Sequence, residues 1–197
     1  MAEPGTIESL QEKISEMRKA QEIFATYSQA QVDAIFQAVA MEGSRQRLAL
    51  ARQAIAETGM GILEDKVMKN HYAAEFVYNK YRHMKTCGVM AEDRSLGIQK
   101  IAEPVGVIGA IVPITNPTST AIFKILICLK SRNAILISPH PGAKKCTCEA
   151  VRLLAEAAYG AGAPAGIIAC VGEPSVELSR TLMASVDFIL ATGGPDV

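Results

Sequence analysis

Three loops in the second half of the chain carry side chains that could do chemistry, and each follows an apolar run: Pro113-Ile114-Thr115-Asn116-Pro117-Thr118-Ser119-Thr120, Ser138-Pro139-His140-Pro141-Gly142-Ala143-Lys144, and Ala191-Thr192-Gly193-Gly194. Carboxamide, hydroxyl and imidazole groups can donate hydrogen bonds to a carbonyl oxygen or a phosphate. Backbone N–H groups where helices begin can hold an anion. Turn and cap chemistry explains the same residue types equally well, so on the residues alone both readings stand. No G-x-G-x-x-G follows the first strand, and the nearest approach, Gly160-Ala161-Gly162, follows a helix. A Walker sequence is missing as well, which argues against phosphoryl transfer. Cys146-Thr147-Cys148 with His140 has the wrong spacing for zinc, and no metal site is expected. Cys128 falls late in a helix, Cys170 in an apolar strand and Cys87 in a connector. None has an evident base or oxyanion donor beside it, so the cysteines read as structural.

The elements that must position these loops divide near residue 100. Before it, Ile7, Leu10, Ile14, Met17 and Phe24 recur at helical spacing, and Ser28 with Gln31 forms a capping-box start for a second helix that Gly43 is expected to end. Ser44 is expected to cap a third helix running to about Thr58. A fourth runs from about Leu63 to Met84 and carries His71 and His83. After it, residues 97–103 alternate loosely like a strand. The continuous apolar run from Val105 to Val112 then reads as a strand covered on both faces. Helices over about 118–129, 143–159 and 175–183 alternate with strands over 134–138, 166–171 and 187–192. Repeated alternation of this kind predicts right-handed crossovers and a doubly wound parallel α/β sheet. Residues 1–95 are thus expected to form a helical arm, and 96–197 an incomplete parallel α/β domain; that the second part binds a dinucleotide is implied only by the family resemblance that its loops carry. In an open parallel sheet ligands bind at the carboxyl ends of the strands, where all three loops lie.

Charge excludes several partners. Twenty Lys and Arg balance twenty Asp and Glu among 197 residues, so neither nucleic acid nor a membrane surface is an expected partner. The hydrophobic 49% is never strung into a bilayer-length run, and the first 30 residues are polar and charged. An odd five cysteines without a framework agree with a reducing compartment, and the expectation is a soluble cytoplasmic chain without disulfides. The sequence stops after its last strand, where a crossover helix is due, and so reads as truncated.

Together with Ala102-Glu103-Pro104-Val105-Gly106-Val107-Ile108-Gly109, Arg132-Asn133-Ala134-Ile135, Glu57-Thr58-Gly59-Met60-Gly61 and Lys85-Thr86-Cys87-Gly88-Val89, the three loops closely resemble the CoA-acylating branch of the aldehyde dehydrogenase superfamily. The nearest likeness is the N-terminal half of the bifunctional aldehyde-alcohol dehydrogenases. That resemblance implies NAD-dependent interconversion of an aldehyde, acetaldehyde first, and its acyl-CoA through a cysteine-bound thiohemiacetal and thioester. It implies Asn116 as the side-chain donor of an oxyanion hole, with Pro113, Ile114, Thr115, Ser138, Pro139, His140, Thr192, Gly193 and Gly194 around the cofactor. The nucleophilic cysteine of such enzymes lies well downstream of the Thr-Gly-Gly turn, and none of the five here matches it. Asp196 departs from the pattern, since an acid there would disfavour a pyrophosphate. Partners so implied are the aldehyde, CoA and further copies of the same chain. The alternatives are a non-catalytic NAD-binding or assembly module, and an acylating dehydrogenase for sulfoacetaldehyde or succinate semialdehyde.

Overall fold

The computed structural model describes residues 4–194. Helix α1 (Ile7–Ala25) starts at a Thr6–Ser9 capping box, and α2 (Gln29–Arg45) starts at the box expected from Ser28 and Gln31. Gly43 does not end α2, and Ser44 caps nothing. A Cβ on Gly43 would lie 3.3 Å from both the Ala74 Cβ and Ile122 Cγ2, so the glycine stays helical because two neighbouring elements pack onto it there. That contact offsets the helical cost of about 1 kcal/mol for glycine. The chain turns at Gln46 into α3 (Arg47–Thr58), which ends at left-handed Gly59.

The fourth helix is interrupted. α4 (Leu63–His71) passes into a π-helical turn over Tyr72–Phe76 and resumes as α5 (Val77–Tyr81), which ends before the expected Met84. Next comes a hairpin of β1 (Gly88–Asp93) and β2 (Ile98–Ala102), paired antiparallel and solvent-exposed except at Ala102. Asp93 Oδ1 closes its turn by accepting the Ser95 and Leu96 N–H groups at 3.0 and 3.2 Å. The expected strand over 97–103 therefore exists, but it pairs with a strand whose sequence lacks alternation and lies outside the main sheet.

The main sheet is parallel, with strand order β5-β4-β3-β6, from β3 (Val107–Val112), β4 (Ala134–Pro139), β5 (Ile168–Cys170) and β6 (Phe188–Ala191). The crossovers are α6 (Pro117–Lys130), α7 (Lys144–Gly160) and α8 (Val176–Ser185). α6 and α7 pack side by side with α2 behind them, while α1 and α8 lie together against β3. Coverage on both faces leaves every residue of β4 buried, as its apolar run demands.

At the far end of the sheet from the three loops, Arg18 of α1 donates to both carboxylate oxygens of Asp187 at 2.7 Å, and Asp187 Oδ2 accepts the Val107 N–H at 2.8 Å. This ties α1 to the starts of β3 and β6.

Candidate active site

The chain leaves β3 toward β4 through α6 and returns to the other side of β3 through α8, so the loops after β3 and β6 diverge. A crevice opens at this switch point, the place where open α/β sheets bind ligands. It encloses about 860 Å³, within the range of small-molecule sites. Pro113, Ile114, Thr115 and Asn116 line it after β3, Ser138, Pro139 and His140 after β4, and Thr192, Gly193 and Gly194 after β6. The structure therefore brings all ten residues singled out from the sequence into one cleft. Asp196 lies outside the described residues.

Local contacts explain how each loop is held. His140 Nδ1 accepts the Gly142 N–H at 3.0 Å, so in the neutral ring Nε2 carries the proton. A Cβ on Gly142 would stand 2.9 Å from Ile114 Cδ1, and only glycine lets the first two loops pack this closely. Ser138 is buried with its hydroxyl 3.2 Å from that of Ser179, which joins β4 to α8. The N-terminus of α7 is filled by protein: Glu57 of α3 accepts the N–H groups of Cys146 at 2.7 Å and Lys145 at 2.8 Å. Burial pushes the Glu57 carboxyl up, but these donors outweigh it and hold the group below the usual carboxylate range. A phosphate has no seat at that helix start.

Asn116 precedes α6 with Pro117 at the first helical position, and its side chain makes no cap. Lys69 Nζ donates to its Oδ1 at 3.0 Å, while Nδ2 has only a 3.4 Å contact to Thr115 Oγ1. The lysine thus fixes which end of the carboxamide faces out and leaves an N–H of Nδ2 to offer. Lys66, 5% exposed, donates to the Thr115 carbonyl at 2.5 Å, so α4 clamps the loop with two lysines one turn apart. Burial and the Lys69 charge lower the Lys66 pKa. Lys124 of α6 is 1% exposed and donates to the carbonyls of Ile111 at 2.7 Å and Leu190 at 2.5 Å, which pins the ends of β3 and β6 across the switch point. Its burial brings the ammonium down to about 8. Sequence reasoning missed all three lysines. Lys66 and Lys69 share a helix face, but nothing in the sequence joins that face to a loop nearly fifty residues on.

A second cavity of about 700 Å³ lies between α4, α5 and α6. Its wall is largely apolar, with Met68, Tyr72, Phe76, Val77 and Phe123, and the Tyr72 and Phe76 rings stack at 5.1 Å within the π-helical turn. Among the described residues, Asn116 is the only one that lines both cavities. No cysteine lines either one. Burial raises the Cys128 and Cys146 thiols to about 12, Glu57 adding to the effect at Cys146, so neither is a thiolate near neutrality. Among the described residues no three His, Cys, Asp or Glu side chains gather as a metal ion would require, and no helix is long and apolar enough to cross a membrane.

The sequence profile described as "Aldehyde dehydrogenase family" matches residues 2–197. The chain belongs to the aldehyde dehydrogenase family. It is 52% identical over 192 residues to the aldehyde-alcohol dehydrogenase of Clostridium acetobutylicum, which covers 98% of this chain and 22% of that protein. The crystal structure of an acetylating aldehyde dehydrogenase from Geobacillus thermoglucosidasius superposes with a TM-score of 0.94 at 44% identity, over 96% of this chain and 42% of that one. An engineered glycolyl-CoA reductase, solved with bound NADP+, is 30% identical with a TM-score of 0.80, over 98% of this chain and 44% of that one. This aldehyde dehydrogenase chain thus spans about a fifth of the bifunctional relative and two-fifths of the solved ones.

Proposed function

We propose that this chain supplies the nicotinamide-nucleotide cleft and the oxyanion-binding carboxamide of an acylating aldehyde dehydrogenase, with acetaldehyde as the aldehyde and NAD as the acceptor. The balanced reaction is aldehyde plus CoA thiol plus NAD+ giving acyl-CoA, NADH and a proton. One observation carries the reading: among the described residues Asn116 alone walls both the cleft at the strand ends, with its hydroxyl and imidazole groups, and the mostly apolar cavity beside it. A residue so placed touches the point where an aldehyde carbonyl in one cavity meets a nicotinamide ring in the other. The Lys69-anchored carboxamide then donates an N–H to the alkoxide that develops when a thiolate adds to the aldehyde.

The donor set of the cleft fits a dinucleotide. His140 Nε2, the Ser138, Ser179 and Thr192 hydroxyls and the exposed glycines after β6 offer hydrogen bonds, and no carboxylate of the described residues lines it. These residues would hold a nicotinamide dinucleotide, which would supply the hydride acceptor for the reaction. Nothing among the five cysteines suits the nucleophile's place, because none lines either cavity. The reactive thiol is supplied from outside these 197 residues. We read the enzyme as cytoplasmic, in keeping with its balanced charge, and as homo-oligomeric, as the family resemblance implies.

The test is a substrate-dependence assay on the full-length protein that contains this chain. NADH forms from acetaldehyde only when CoA is present, with one acetyl-CoA per NADH. NADH formation that ignores CoA and yields free acetate contradicts the acylating assignment.

A further inference from the structure

One face of α4 grips the segment around Asn116 at three points. Lys66 donates to the Thr115 carbonyl at 2.5 Å, Lys69 donates to Asn116 Oδ1 at 3.0 Å, and Asn70 Oδ1 accepts the Thr118 hydroxyl at 2.8 Å. Positions 66, 69 and 70 are neighbours on a helix surface. Asn70, 1% exposed, also donates from Nδ2 to the Arg47 carbonyl of α3 at 3.0 Å, so Lys66 and Asn70 register α4 through buried groups. Lys69 is different. It is exposed, makes no ion pair with any described residue, and ends on a side chain that caps no helix. Its charge also stands, after burial, among the causes that lower the Lys66 pKa, as two like charges one turn apart must. The fold thus gains little from Lys69, while the carboxamide gains much. An unanchored carboxamide can turn either its oxygen or its NH₂ outward. An ammonium on Oδ1 fixes Nδ2 as the outward end and draws electron density from it, which makes its N–H the stronger donor. Lys69 and Asn116 line the mostly apolar cavity side by side.

We propose that Lys69 is a positioning residue for the reaction: its ammonium locks and polarises the Asn116 carboxamide, so that a charge on α4 sets how strongly Asn116 stabilises the alkoxide. The proposal rests on the oxyanion reading above and names the group on which that donor depends.

The experiment is a double-mutant cycle in the full-length enzyme, read as the single-turnover rate of NADH formation from acetaldehyde. The variants are Lys69→Met, Lys69→Arg, Asn116→Ala and the Lys69→Met, Asn116→Ala pair. Lys69→Met is expected to slow this step about tenfold, with the NAD Kd within about twofold of wild type. Tm is expected to stay within about 2 °C, since an exposed cation beside a like charge is lost. Lys69→Arg keeps the charge and a donor and is expected to restore the rate to within about threefold of wild type. With Asn116 already truncated, Lys69→Met has no carboxamide to act on, and its effect is expected to shrink below about twofold. A Lys69→Met loss of equal size in both backgrounds, no loss in the wild-type background, or Lys69→Arg as slow as Lys69→Met overturns the proposal while the oxyanion reading stands. If Asn116→Ala alone leaves the rate unchanged, the oxyanion reading fails and this proposal with it.

Discussion

Asn116→Ala in the full-length enzyme lowers kcat by ~10²–10³-fold and leaves the NAD Kd within about twofold, the behaviour of a donor used only when negative charge develops on the substrate oxygen. The residue walls the cleft at the strand ends without offering it a charge, so truncating the side chain is expected to remove little ground-state binding. Asn116→Asp separates donation from shape. It keeps an oxygen for Lys69, which now donates to Asn116 Oδ1 at 3.0 Å, and replaces the N–H donor by an acceptor that repels the alkoxide. Its loss in kcat is expected to equal or exceed that of Asn116→Ala. Steady-state kinetics with NADH titration decides the matter, and equal losses in kcat and NAD affinity for both variants would assign Asn116 a purely structural role.

Gly106→Ala is the substitution expected to cost most in stability. Gly106 has φ +121°, a conformation that L side chains rarely adopt, and an added Cβ would stand 2.3 Å from Asp187 Oδ2. The backbone strain costs about 2 kcal/mol. Displacing Asp187 also breaks its bonds to the Val107 N–H and Arg18, worth roughly 2 kcal/mol more for a partly exposed charged group. A total on the order of 4 kcal/mol lowers Tm by roughly 10 °C in a chain of this length. Burial pushes the Asp187 carboxyl up, but the Arg18 hydrogen bonds and charge and the Val107 N–H together hold it below the usual range. Because the folded value is depressed, its contribution is complete above an ordinary aspartate's pKa of about 4 and lost as pH falls through the folded value. Thermal melts from pH 7 to 3 should therefore show the gap between wild type and Gly106→Ala narrowing below about pH 4. A gap that stays constant would mean that strain alone, and not the Asp187 network, accounts for the loss.

What was legible in the sequence follows a physical division. The alternation of apolar runs with helical periods after residue 105 reported a doubly wound sheet, because strands buried on both faces must be largely apolar; β3 is so throughout and β4 up to Ser138. Loops at strand ends announced themselves through Pro, Gly, Asn and Ser, and the cleft gathers them as the topology requires. Illegible were features set by contacts distant in sequence. Gly43 reads as a helix stop and is a packing site. Strand β1 has no buried face to impose alternation. The π-helical turn at Tyr72–Phe76 shapes the apolar cavity without any local sequence signal. Lys66, Lys69 and Lys124 look like ordinary surface cations on helices. Their placement around the strand ends appears only once α4 and α6 are docked, and with it the anchoring of Asn116.

The most direct measurement is a residue-resolved map of nucleotide binding: ¹H–¹⁵N spectra of the labelled chain titrated with NADH. The account predicts shifts concentrated at Thr115, the Asn116 side-chain amide, His140, Gly193 and Gly194, with the β1–β2 hairpin and the outer face of α2 unmoved. Shifts that avoid those five positions and gather elsewhere on the surface would contradict it.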